Sequence, residues 1–311
     1  MKNAHRIRIG TAGLIGLCLV NAAQAQIFVD NGVNGGSIEE FSTSGTPMNT
    51  SFVTGLPGPG GLAVYGGDIY VANGSSGTVG EYNLSGGPVS TTLIQGLNGP
   101  GGIAVSGADI FVANGGSTNV GEYSMSGAPV NTSFITGLSG PANIVIYGGN
   151  VFVADSGNNR IVEYSLTGTP ISTSLITGLS DPTGLAISGG DIFIGNYNSG
   201  TIDEYTVAGA LVKKGLVSGL SDPTGLAISG GDILVDNTFP SGGVEEFTTS
   251  GALVTSSFIT GLDYPWGLTV APVPEPSTGV LLVGGGGLLL WRSREKLWKV
   301  KAEGTPGFSK H

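Results

Sequence analysis

The chain has 311 residues, 40% of them hydrophobic, with 57 glycines and a formal net charge of −10. That apolar share can build a packed core in an all-β domain of this length, and the acidic balance lacks the basic footprint that contacts to nucleic-acid phosphates require. The single cysteine, Cys18, and both histidines, His5 and His311, lie near the ends, so the body of the chain has no Cys-His or Ser-His-Asp nucleophile system, no histidine for lyase chemistry and no conventional zinc ligands.

Residues 1–25 read as a secretory signal. Lys2, Arg6 and Arg8 form a basic start, Ile9 to Val20 an apolar segment, and Ala23-Gln24-Ala25 a small-x-small cleavage site. The mature chain is expected to begin at Gln26, without the cysteine and so without a disulfide.

From there the chain repeats. A Gly-Leu pair recurs at Gly55, Gly96, Gly137, Gly178, Gly219 and Gly261, with spacings of 41, 41, 41, 41 and 42 residues. Each unit holds four short runs rich in Val, Ile, Phe and Tyr, in the second unit Ile103 to Val105, Asp109 to Ala113, Asn119 to Ser124 and Thr132 to Thr136. Such runs read as strands. Gly-Gly pairs (Gly66-Gly67, Gly189-Gly190, Gly230-Gly231) join the first two through tight hairpin turns. Four antiparallel strands at this period describe a β-propeller blade.

The blade count closes. Five full units run from Gly55 to Thr260; Ile27 to Thr54 supplies strands two to four, and Gly261 to Val270 supplies strand one. Together the two ends make a sixth blade and close the ring without an open sheet edge. The expectation is an all-β, six-bladed propeller over residues 26–271.

Pro182, Gly184, Leu185 and Ala186, with Val153, Ala154, Asp155, Asn158, Arg160 and Ile161, carry the two blade motifs of the NHL-repeat propellers, which residues 27–270 resemble. The third unit alone has the full signature; the others lack the Arg, and most carry Asn for Asp.

Past the propeller, over residues 272–311, Pro274-Glu275-Pro276 precedes a 13-residue apolar stretch, Gly279 to Trp291, and then Arg292, Arg294 and Lys296. This segment is similar to the PEP-CTERM sorting signal of Gram-negative bacteria, also known as the ice-binding protein C-terminal domain. The resemblance implies processing by an exosortase-type enzyme and delivery to the cell surface or extracellular matrix. The stretch falls short of the about 20 residues of a spanning helix, which suits a transient inner-membrane anchor, and the basic residues would hold that end in the cytoplasm. The tail from Leu297 to His311 is longer than the family pattern.

Residues 27–270 hold 19 Asp or Glu against Arg160, Lys213 and Lys214, which puts this part near −16. Asn31, Asn73, Asn114, Asp155, Asn196 and Asn237 end the second strand of every blade. Repetition in all blades assigns each of them to capping its own turn rather than to a ligand. Glu40, Glu81, Glu122, Glu163, Glu204 and Glu246 recur likewise in strand three, each followed by an aromatic expected to pack between blades.

Residues that break the symmetry are the better ligand candidates. The loop leading into strand one is Pro-Gly-Gly in the early blades but becomes Asp181-Pro182, Asp222-Pro223 and Asp263-Tyr264-Pro265-Trp266 later. The loop after strand two, expected on the same face, carries Tyr197, Asp236 and Phe239 in those blades. Carboxylates beside exposed aromatics suit sugar stacking or a hard cation, with calcium the expected ion. The leading functional expectation is an exported, non-catalytic binding platform for carbohydrate, cation or protein. The alternative is a metal-dependent lactonase-like hydrolase; six-bladed lactonases have a similar architecture and hold a divalent cation with Glu, Asn and Asp.

Overall fold

The computed structural model describes residues 25–32, 35–237 and 242–271, within one compact unit, Gln24–Val273. The signal segment up to Gln24 and the Pro274-Glu275-Pro276 segment lie outside the described residues, as does Phe239.

Six four-stranded antiparallel sheets form the blades. Blades 1 to 5 are residues 59–94, 100–136, 141–177, 182–218 and 223–260; blade 6 pairs Leu268–Ala271 with the three strands of residues 26–56. The closure expected from the incomplete ends is therefore the one observed: Ile27 faces Val270 and Val29 faces Leu268. In blades 1 to 5 the first strand begins at the proline of the lead-in loop, earlier than the apolar run alone suggests, as in Pro100–Ser106. A proline can start a strand because the ladder needs no donor there.

First strands of neighbouring blades touch all the way round the ring. Glycines make this approach possible: a Cβ at Gly61 would overlap the Gly101 carbonyl oxygen, and one at Gly267 would overlap that of Gly60. Second strands are apolar and buried on both faces, as in Ile110–Ala113, because a blade packs on either side. The strand-three aromatics fill the seams: Tyr82 of blade 1 packs with Phe28 and Phe52 of blade 6, and Tyr123 of blade 2 with Tyr70 of blade 1. The repeated glutamates accept hydrogen bonds across the sheet, Glu81 from the Tyr70 hydroxyl at 2.9 Å and Glu163 from Asn150 at 2.7 Å.

In four blades the polar residue that ends strand two caps backbone, though not that of its own turn; in blade 2 Asn114 Oδ1 has no partner. Asp155, Asn196, Asn237 and Asn31 each accept the backbone N–H of a lead-in loop, from Ser139, Ser180, Ser221 and Asp263 at 2.5–3.0 Å. The equivalent position in blade 1 is Pro57, which has no N–H, and there Asn73 Oδ1 has no partner. Blades 4, 5 and 6 also carry an acid in strand three that accepts the amide N–H of this asparagine: Asp203 from Asn196, Glu245 from Asn237 and Glu39 from Asn31.

Candidate functional site at the channel mouth

The lead-in loops and the loops after strand two open on one face and are tied by backbone hydrogen bonds, such as Gly74 N–H to Gly58 at 2.7 Å and Tyr197 N–H to Asp181 at 3.0 Å. They surround a pocket of about 510 Å³ whose wall includes Pro59, Pro100, Pro141, Asp181, Thr183 and Trp266. Behind it, the first strands of all six blades line a channel cavity of about 440 Å³. Loops held on a rigid ring in this way are where binding groups concentrate.

The residue before the lead-in proline has positive φ in every blade. It is Gly58, Gly99 and Gly140 in the first three, but Asp181 (φ 54°), Asp222 (55°) and Tyr264 (54°) in the last three. Glycine takes this conformation at no steric cost, whereas a side chain there costs of order 1 kcal/mol. One half of the mouth thus presents side chains in a strained backbone where the other half avoids the strain. Asp181 is held by its N–H to Asn159 Oδ1 at 2.7 Å, a contact from blade 3 to blade 4.

Trp266 sits at the position that Gly60 and Gly101 fill in blades 1 and 2. It is 43% exposed. On one side a Cβ at Gly60 would stand 3.6 Å from its ring; on the other its ring centroid lies 6.3 Å from that of Tyr197, tilted by 41°. The indole therefore reaches across the mouth between blade 1 and blade 4. Burial raises the Tyr197 pKa, and the charge and hydrogen bond of Asp222 and the charge of Asp181 raise it further, so the phenol stays neutral and donates to Asp222.

The structure thus brings Asp181, Tyr197, Asp222 and Trp266 together at the mouth. Asp263 and Tyr264 are exposed on the adjoining loop. Asp236 is a correction. It is not a loop residue of this face but the fifth residue of the strand Asp232–Asn237, with no exposure. It points into the blade because the strand is covered on both sides. Among the described residues no group of three or more His, Cys, Asp or Glu side chains is placed to hold a metal.

Sequence reading missed Asp30, whose carboxylate accepts the N–H groups of Trp266 and Gly267 at 2.7 and 2.8 Å and so fixes the backbone that carries the indole. It also missed the hydroxyls that lace the lead-in prolines together, Thr183 to Pro223 at 2.8 Å and Thr224 to Pro265 at 3.2 Å. The period held a signal for both: each departs from the residue at its place in the early blades.

No protein-family model matches the chain, and no curated protein matches it. Solved structures do match, 823 chains in all. This chain is similar to one in the crystal structure of a nidogen/laminin complex. The TM-score is 0.67 and the identity 18%, over 80% of this chain and 99% of that one. At that identity the likeness shows the six-bladed fold alone.

Proposed function

We propose that the chain is an exported surface or extracellular-matrix protein whose propeller binds an extracellular polysaccharide at the channel mouth, without catalysis. The observation that carries this reading is Trp266, a large ring left 43% exposed over a concave mouth, with Tyr197 beside it. Soluble proteins bury most such rings in their cores; an exposed one offers a face on which a sugar stacks, while the neighbouring Asp181 and Asp222 carboxylates accept from sugar hydroxyls. The net charge near −16 over residues 27–270 favours a neutral or amino sugar over a polyanion and disfavours nucleic acid. The lactonase-like alternative has less support, because the strand-three glutamate recurs in every blade and so marks no distinctive metal-binding blade.

Export rests on the sequence: the leader ending at Ala23-Gln24-Ala25 and the Pro274-Glu275-Pro276 segment before the apolar stretch. Among the described residues no helix is long and apolar enough to cross a membrane. Intact-mass measurement on protein from the native host is expected to show a chain starting at Gln26 and lacking Trp291, cut near residues 274–278 by an exosortase-type enzyme. Recovery of exported protein that keeps its whole C-terminus would remove the sorting proposal.

Trp266 is the single tryptophan of residues 26–271, so its fluorescence reports the mouth alone. Titration with neutral and amino polysaccharides is expected to shift that emission. Trp266→Ala, which copies the small residues of the other blades, is expected to weaken binding by at least about 10-fold with little change in melting temperature. Binding that survives the substitution unchanged would place the site elsewhere.

A further inference from the structure

Asp30 and Asp236 occupy one and the same place in their blades, the fifth residue of strand two. The other blades have Ala72, Ala113, Ala154 and Gly195 there. Both aspartates are completely buried. They stand in adjacent blades, 6 and 5, close enough for the charge of Asp30 to act on Asp236. Asp30 Oδ1 is satisfied by the Trp266 and Gly267 N–H groups. Asp30 Oδ2 and both oxygens of Asp236 meet no hydrogen-bond donor.

The surroundings place this pair. A Cβ at Gly225 would overlap Asp236 Oδ2 and stand 3.1 Å from Gly267 Cα. The carboxylate thus fills space that exists only because Gly225 lacks a side chain. Both glycines line the channel cavity, so the carboxylates lie directly behind a wall of bare backbone.

Three buried carboxylate oxygens without donors are costly unless something meets them. A proton shared between the two acids would satisfy two of these three oxygens and leave the third bare. A hard cation meets several oxygens at once, at about 2.3–2.6 Å for calcium, and spaces them wider than a hydrogen bond does. Left alone, Asp236 is pushed far above the usual carboxylate range by burial and then by the Asp30 charge; in Asp30 burial outweighs its backbone donors. A cation would relieve both costs.

We propose that Asp30 Oδ2 and the Asp236 carboxylate bind a hard divalent cation between blades 5 and 6, with channel water completing its shell. The ion would clip together the strand Gln26–Asn31 (Asp30), the lead-in to the closing strand (Gly267, through Asp30) and the last full blade (Asp236). That is the seam where the ring closes, and joining residues so distant in sequence gives such a clip its greatest effect on the unfolded chain. The site adjoins the Trp266 mouth through the Trp266 N–H to Asp30, but it uses other atoms and needs no ligand there.

The test is thermal unfolding of the purified full-length chain after EDTA treatment and dialysis, with calcium chloride or magnesium chloride added back. At a hundredfold excess over Kd, the melting temperature is expected to rise by about 5 °C. Asp236→Ala copies blades 1 to 3 and is expected to fold and to lose the response. Asp236→Asn, nearly isosteric, serves the same purpose should the alanine variant not fold. Asp222→Asn, at the mouth, is expected to keep the response. The proposal is overturned if neither cation shifts the wild-type transition and elemental analysis of untreated protein finds no bound divalent metal. It is equally overturned by a shift that persists in the Asp236 variants. A stability gain in Asp236→Ala that grows with pH, with no metal effect in either protein, would instead assign the pair to a shared proton.

Discussion

A chain that stops at Asp263 is expected to lose cooperative folding. The cut removes Leu268–Ala271, which pairs with Gln26–Asn31 through Gln26, Ile27, Phe28 and Val29. It also removes both donors to Asp30 Oδ1 and the Gly267 carbonyl that accepts the Asp30 N–H at 3.0 Å. Leu268 belongs to the cluster of Ile27, Val29, Phe41, Leu234 and Val244, so its loss opens the core shared by blades 5 and 6. Burial of one leucine contributes about 2 kcal/mol. Each ladder hydrogen bond adds about 1 kcal/mol, and stripping the donors from a buried carboxylate costs still more. The sum reaches about 8 kcal/mol, comparable to the whole stability of a typical domain. The exposed edge of Gln26–Asn31 would then be free to pair with other chains. Circular dichroism melting and size-exclusion chromatography should show a broad transition and aggregates. A synthetic peptide of residues 261–273 added during refolding should restore part of the sharp transition. A truncated chain that melts cooperatively within a few degrees of the parent would contradict the closure argument.

Asp155→Ala is expected to cost about 3 kcal/mol, measured by urea unfolding. The Asp155 carboxylate is completely buried and accepts from Ser139 N–H at 2.6 Å, Asn158 Nδ2 at 2.9 Å and Arg160 Nε at 2.7 Å. Removing it strands a lead-in loop, an amide and a guanidinium whose side chain is 24% exposed. Asp155→Asn should cost less, about 1 kcal/mol. Asparagine keeps the bond to the Ser139 N–H, as Asn196 and Asn237 do with Ser180 and Ser221. Blades 1 and 4 have threonine where blade 3 has Arg160, namely Thr78 and Thr201. Replacing Arg160 by threonine in the Asp155→Asn background should therefore recover most of that loss. An alanine variant as stable as the parent would show that the ion pair and its neighbours contribute nothing net.

Much of the candidate site was also legible, because departures from the period mark it. Asp181, Asp222 and Trp266 stand where Gly58, Gly99, Gly60 and Gly101 do in the early blades, and the structure gathers them, with Tyr197, at one mouth. Asp236 was misplaced for a definable reason. In an exposed sheet, alternation tells which way a residue points, but the second strands here are buried on both faces from Ile27 to Asp30 and from Ile233 to Asp236. Without alternation, the last residues of such a strand cannot be told from the first of the loop that follows.

By itself the sequence determined the architecture. The 41-residue period set the blade, its turn glycines set the hairpins, and two partial ends that complete each other set the number six and the way the ring closes. These are local properties, repeated until only one assembly satisfies them. The tertiary structure alone decided which residues of different blades meet. Trp266 lies against Tyr197 across the mouth, and Asp30 and Asp236, from opposite ends of the chain, come together with three oxygens unmet. Such pairings depend on ring closure and on the bare backbone at Gly225, which leaves room for the Asp236 carboxylate. A repeat reports the environment common to every blade, and a pairing made at a single seam is what it averages away.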